Sequence, residues 1–132
     1  MKNTLIKTLS IAATTMIAFA PMTAMADKAP VHGSFSGASN HVTSGGVKVV
    51  KTADGGAVVI LDSDFSLDGG PDPHVGFGVD GTYIEASDLG DLQDLNGVQV
   101  YVVPSSINVD DFNELYIWCK DVGVPLGVAA LK

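Results

Sequence analysis

From residue 31 onward, short apolar runs are broken by Gly, Asp, Asn and Ser at intervals of about eight to twelve residues, the spacing of strands joined by tight turns. No stretch keeps the 3.6-residue apolar period of an amphipathic helix for a useful length. The pattern predicts an all-β chain folded as a single-domain antiparallel β-sandwich or barrel.

Strands are expected at 31–35, at 47–52 and at 57–61, the last two joined into a hairpin by Ala53-Asp54-Gly55-Gly56, whose residues tolerate positive φ. A second hairpin is expected where Val75, Phe77 and Val79 alternate with Gly76 and Gly78 before an Asp80-Gly81 turn and a return strand at 82–86. Two glycines on one strand face leave room for a close backbone, a bulge or a ligand. Leu89, Leu92 and Leu95 repeat every three residues, which predicts a turn or two of tight helix with leucines inward and aspartates outward. A strand at 98–103 stops at Pro104, and residues 108–113 form a short turn. Residues 124–131 are expected to pair with the preceding strand across a turn at 121–123, and Pro125 makes that strand an edge or a bulged one.

The preceding strand is Leu115-Tyr116-Ile117-Trp118-Cys119, which holds the only tryptophan beside the only cysteine. Alternation places Leu115, Ile117 and Cys119 on one face and Tyr116 with Trp118 on the other. Both faces are apolar, which predicts a central strand covered on both sides. The thiol then faces a core, either as a small inert hydrophobe or as a redox group shielded from water.

Lys2 and Lys7 flank an apolar stretch from Leu5 to Ala20, and Ala24-Met25-Ala26 provides small residues for cleavage. Residues 1–26 read as a secretory signal peptide and residues 27–132 as the mature domain, periplasmic or secreted, with no integral membrane span. Removing Lys2 and Lys7 leaves five lysines and no arginine against 15 acidic residues, a formal charge of −10. Nucleic acid is excluded as a partner, because binding it needs a basic face to neutralise phosphates. A single cysteine cannot form an internal disulfide, so stability must come from packing.

His32, His41, His74 and Cys119 are the soft ligands available, with Asp72 two residues from His74. Paired cysteines and a His-Glu-x-x-His helix are absent, and no histidine follows Cys119 as it does in many blue-copper sequences, so no metal site is assigned. Asp62, Asp64 and Asp68 come close to a calcium loop, but the required glycine position is Leu67 and the closing glutamate is missing. No Gly-x-Ser-x-Gly motif supports a hydrolase, and a stand-alone enzyme is not expected.

Several of these residues occur in an order that resembles the electron-transfer DM13 family: Gly33-x-Phe35, His41 with Ser44-Gly45, Asp64-Phe65, Gly70-Pro71-Asp72, Leu89-Gly90-x-Leu92, Tyr101 before Pro104, and Ile117-Trp118-Cys119 ahead of residues 127–131. The resemblance implies an extracytoplasmic all-β module, at times found beside DOMON domains, whose characteristic cysteine corresponds to Cys119. It also implies a redox protein or a cofactor as partner. Cys119 is then the redox residue, with His41, Asp72, His74 and Trp118 as the groups expected to line a cofactor of unassigned identity. The alternative is a non-catalytic extracytoplasmic binding or structural module in which Cys119 is buried core.

Overall fold

A computed structural model describes residues 16–18 and 28–132. The proposed cleavage site and Asp27 lie outside the described residues. Ten strands follow in chain order: β1 (Val31–Gly37), β2 (Thr43–Ser44), β3 (Gly46–Lys51), β4 (Ala57–Leu61), β5 (Ser66–Leu67), β6 (Pro73–Val79), β7 (Thr82–Tyr83), β8 (Gln99–Val103), β9 (Glu114–Cys119) and β10 (Val124–Ala130). Eight of them form one antiparallel sheet in the order β7-β6-β9-β10-β1-β3-β4-β8, and β2 pairs with β5 separately. The large sheet curls into a half-barrel. The all-β class and the antiparallel pairing hold, with β7 and β8 left as the two edges.

Alternation in each strand builds the core. Val47 and Val49, Val59 and Leu61, Val75 and Phe77, Tyr101 and Val103, and Leu115, Ile117 and Cys119 all point inward and are buried. Phe35 and Phe65 close this interior edge to face, at a centroid separation of 5.4 Å.

The first hairpin forms as expected, with Lys51 opposite Ala57 and Gly55 at φ 88°. The second turns through Asp80 and Gly81, at φ 49° and 85°, the pair of positive angles that matches strand twist. Its return strand is shorter than 82–86, because β7 ends at Tyr83 and Glu85–Ser87 form a 3-10 turn. The Ser87 hydroxyl, almost wholly buried, accepts from the Phe77 amide at 2.8 Å and so takes over a backbone partner's role beyond β7.

Residues 88–95 correct the helical expectation. Residues 89–92 run beside β6: the Leu89 amide donates to the Val75 carbonyl (2.7 Å), the Val75 amide to Gly90 (3.0 Å) and the Leu92 amide to Pro73 (2.8 Å). The edge of β6 past β7 needs these partners, and a tight helix would turn its own amides away from them. Leu89 and Leu92 still pack against the core, but Leu95 is exposed and Asp88 is turned inward to His74, against the expected leucine-in, aspartate-out pattern. β10 lies between β9 and β1, so it is not an edge; Pro125 is accommodated by a register shift between Pro125 and Gly127.

Candidate functional site

β9 sits between β6 and β10, as its two apolar faces predict. Directly opposed residues of an antiparallel pair share a face. Pro73 and Val124 oppose Cys119, while His74 and Pro125 oppose Trp118. The expected site is therefore divided by the sheet: Cys119 points into the core, and Trp118, His74 and Asp72 gather on the outer side.

On that outer side the Gly76 and Gly78 spaces are filled from within the chain. A Cβ on Gly76 would stand 2.7 Å from the Tyr83 ring, and one on Gly78 would overlap the Tyr116 ring. Tyr83 stacks on Trp118 with centroids 4.4 Å apart and planes 7° from parallel. Tyr116 meets both rings edge on, at 5.7 Å and 6.2 Å. Three of the chain's oxidisable aromatic side chains thus form one contact group.

A polar chain continues from this group. The Tyr83 hydroxyl donates to Asp88 Oδ2 at 2.9 Å, and Asp88 also accepts from the Gly90 amide (2.8 Å) and from His74 Nδ1 (3.0 Å). On the far side of the imidazole, Nε2 lies 2.9 Å from Asp91 Oδ1 and 3.3 Å from Asp72 Oδ1. Lys120 pairs with Glu85 and lies 3.7 Å from Asp88. Tyr116 donates to Glu114 at 3.0 Å.

These environments shift the protonation equilibria. Burial alone would favour neutral His74, but the hydrogen bond to Asp88 and the charges of Asp88, Asp72 and Asp91 outweigh it and raise the pKa. Burial also works against ionised Asp88, yet His74, Tyr83 and the Gly90 amide together hold its pKa below the ordinary value. Burial and the facing carboxylate push Tyr83 far above an ordinary phenol. The same two causes push Tyr116 up to about 12. Both phenols therefore stay protonated at neutral pH, and each has a carboxylate oxygen ready to receive its proton.

Of the expected residues, the structure brings together Asp72, His74 and Trp118. His41 is elsewhere, its Nδ1 2.9 Å from Asp68 Oδ1, and Cys119 is on the opposite face. Among the described residues, the only group of three or more ligand side chains with donor atoms within 4.8 Å of one another is Asp72, His74 and Asp91, which omits the thiol. The acidic run at 62–68 forms no common loop site: Asp62 pairs with Lys48, Asp64 accepts from the Gly46 amide, and Asp68 accepts from His41 and the Val42 amide. Sequence reading missed Tyr83, Asp88 and Asp91. The available signal was the Gly76-x-Gly78 pair, a vacant strip whose neighbours had to be large rings.

A family model described as Electron transfer DM13 matches residues 34–131. No curated protein and no solved structure matches the chain. Among the described residues no helix is long and apolar enough to cross a membrane.

Proposed function

The chain belongs to the electron-transfer DM13 family, and from that premise we propose that it passes single electrons in an extracytoplasmic compartment through the outer side of β9, after loss of residues 1–26. The observation that carries this reading is the Tyr83 phenol, stacked on Trp118 and hydrogen-bonded to Asp88 at 2.9 Å. A high-potential one-electron oxidant docked over Trp118 takes one electron from the aromatic group. The Tyr83 O–H bond breaks, its proton moves to Asp88 Oδ2, and a neutral phenoxyl radical remains. Re-reduction by an electron donor returns the proton to the phenolate oxygen. Because the phenol pKa is raised, the proton does not leave ahead of the electron, and the carboxylate poised at the hydroxyl makes its transfer local.

Cys119 supports a second reading, in which the thiol itself is the redox centre that the family resemblance implies. Its position one residue from Trp118 favours it; its burial at 1% exposure among apolar side chains opposes it. Thiol labelling of folded protein separates the two. Rapid labelling near neutral pH would favour the cysteine-centred reading, and labelling only on unfolding would exclude it. Flash oxidation with a ruthenium photo-oxidant tests the first reading: a tyrosyl absorption should form in the native chain and fall in Tyr83→Phe. An unchanged yield in that variant would contradict it. Export is supported by the Lys2, Lys7 and Ala24-Met25-Ala26 pattern, and intact-mass measurement of the exported product should give a chain beginning at Asp27.

A further inference from the structure

We propose that Asp72, His74 and Asp91 form a binding site for one divalent transition ion of the Mn2+, Fe2+ or Zn2+ class, an inference that does not rest on the electron-transfer reading. The three donor atoms lie within 4.8 Å of one another. Ligands about 2.1 Å from a common ion and about 90–110° apart lie about 3.0–3.4 Å from each other. Nε2 of His74 is 2.9 Å from Asp91 Oδ1 and 3.3 Å from Asp72 Oδ1, close to both values.

The histidine is also set up as a ligand rather than a bridge. All its ring hydrogen bonds are made by Nδ1, to the two oxygens of Asp88 at 3.0 Å and 3.1 Å, while the Nε2 contacts to Asp72 and Asp91 are ion-pair distances only. A carboxylate on Nδ1 fixes the tautomer and turns the Nε2 lone pair toward a metal, a second partner commonly found behind metal-bound histidines. A single Nε2–H can serve one acceptor well, so protonated His74 leaves two like-charged carboxylates competing for it. A divalent ion replaces that proton and satisfies both.

Backbone pairing holds the donors in place. The Lys120 amide donates to the Asp72 carbonyl at 3.0 Å, and the Leu92 amide to Pro73 at 2.8 Å, with His74 bridged to Asp91. Asp91 is 84% exposed, which leaves an entry path and room for water ligands. One imidazole with two carboxylates suits borderline transition ions; calcium and magnesium prefer all-oxygen sets.

Calorimetric titration of the untagged protein with Zn2+, and Mn2+ titration followed by EPR, test this. One ion should bind per chain. His74→Gln and Asp91→Ala should each weaken binding more than about tenfold, and Asp88→Ala by about 10–100-fold through the lost orientation of His74. Asp91→Ala removes an exposed side chain, so its circular dichroism should match the parent. Cys119→Ala, on the opposite face of β9, should leave affinity within about twofold. Absence of saturable binding, binding unaffected by Asp91→Ala and His74→Gln, or binding lost in Cys119→Ala would each overturn the proposal.

Discussion

The two sides of β9 use neighbouring residues for opposite purposes. Inward, Cys119 shares its face with Leu115 and Ile117, both fully buried, and is opposed by Pro73 and Val124. Outward, one residue earlier, Trp118 belongs to a stack of rings that leads through Asp88 to His74 and two further carboxylates. A side chain surrounded by hydrocarbon stabilises by packing and has nowhere to send a proton. One held by a carboxylate can exchange a proton when its charge changes. Under the proposed function, reactivity in this strand follows the face and not the residue type that first draws attention.

The largest expected effect comes from the inner side. Ile117→Ala removes a fully buried side chain and should cost about 2–5 kcal/mol in chemical denaturation. Its radical chemistry at Tyr83 should persist under conditions where the variant is folded. Cys119→Ser should cost about 1–3 kcal/mol, by placing a hydroxyl in apolar surroundings, and Cys119→Ala less. A Cys119→Ala protein that kept its stability but lost electron transfer would break the comparison.

On the outer side, Gly78→Ala drives a methyl against the Tyr116 ring and the Thr82 carbonyl, 2.6 Å from the built Cβ. It should cost about 1–3 kcal/mol by overpacking and disturb the near-ultraviolet dichroism of the rings. An unperturbed spectrum would show that the rings do not depend on the glycine strip.

The ionic part of the outer side should appear as pH dependence. The pKa of His74 is raised on folding, so its contribution to stability is fully present below about 6.5 and is lost as pH rises through its folded value. The pKa of Asp88 is lowered, so its contribution is present above about 4 and is lost as pH falls through its folded value. Urea midpoints should therefore decline on the alkaline side for the parent protein and much less for His74→Gln. Equal declines would place the titration elsewhere.

The smallest change is expected at the rim. Lys120→Ala should leave the urea midpoint almost unchanged, because its partner Glu85 is well exposed to solvent.

The frame was readable because local signals dictate it. The Asp54-Gly55-Gly56 and Asp80-Gly81 turns, the central placement of β9 and the bulge at Pro125 all follow from residues within a few positions of the feature. The helical reading of residues 88–95 failed because a three-residue leucine repeat cannot register the unpaired edge of β6, which sets their backbone. The site was half legible. His74 and Trp118 were expected to line one site with Cys119 and are directly opposed to each other; alternation alone puts Trp118 on the face away from Cys119, but the face taken by His74 depends on a register that sequence does not carry. Shifting that pairing by one residue would move every side chain to the other side. Tyr83 comes to Trp118 through the pairing of β7 with β6, and Asp88 comes to His74 through the 3-10 turn that follows β7. His41, grouped with them by its chemistry, is held at Asp68 instead.

Freeze-quenched EPR after one-electron oxidation tests most directly whether electron transfer belongs to the outer side of β9. A tyrosyl signal is predicted for the native chain, retained in Cys119→Ala and in Tyr101→Phe, whose hydroxyl donates to the neutral Gln99 amide rather than to a carboxylate. The signal should be absent from the double variant Tyr83→Phe, Tyr116→Phe. A signal that survives the double variant and disappears with Cys119→Ala would contradict the account and return the redox centre to the core.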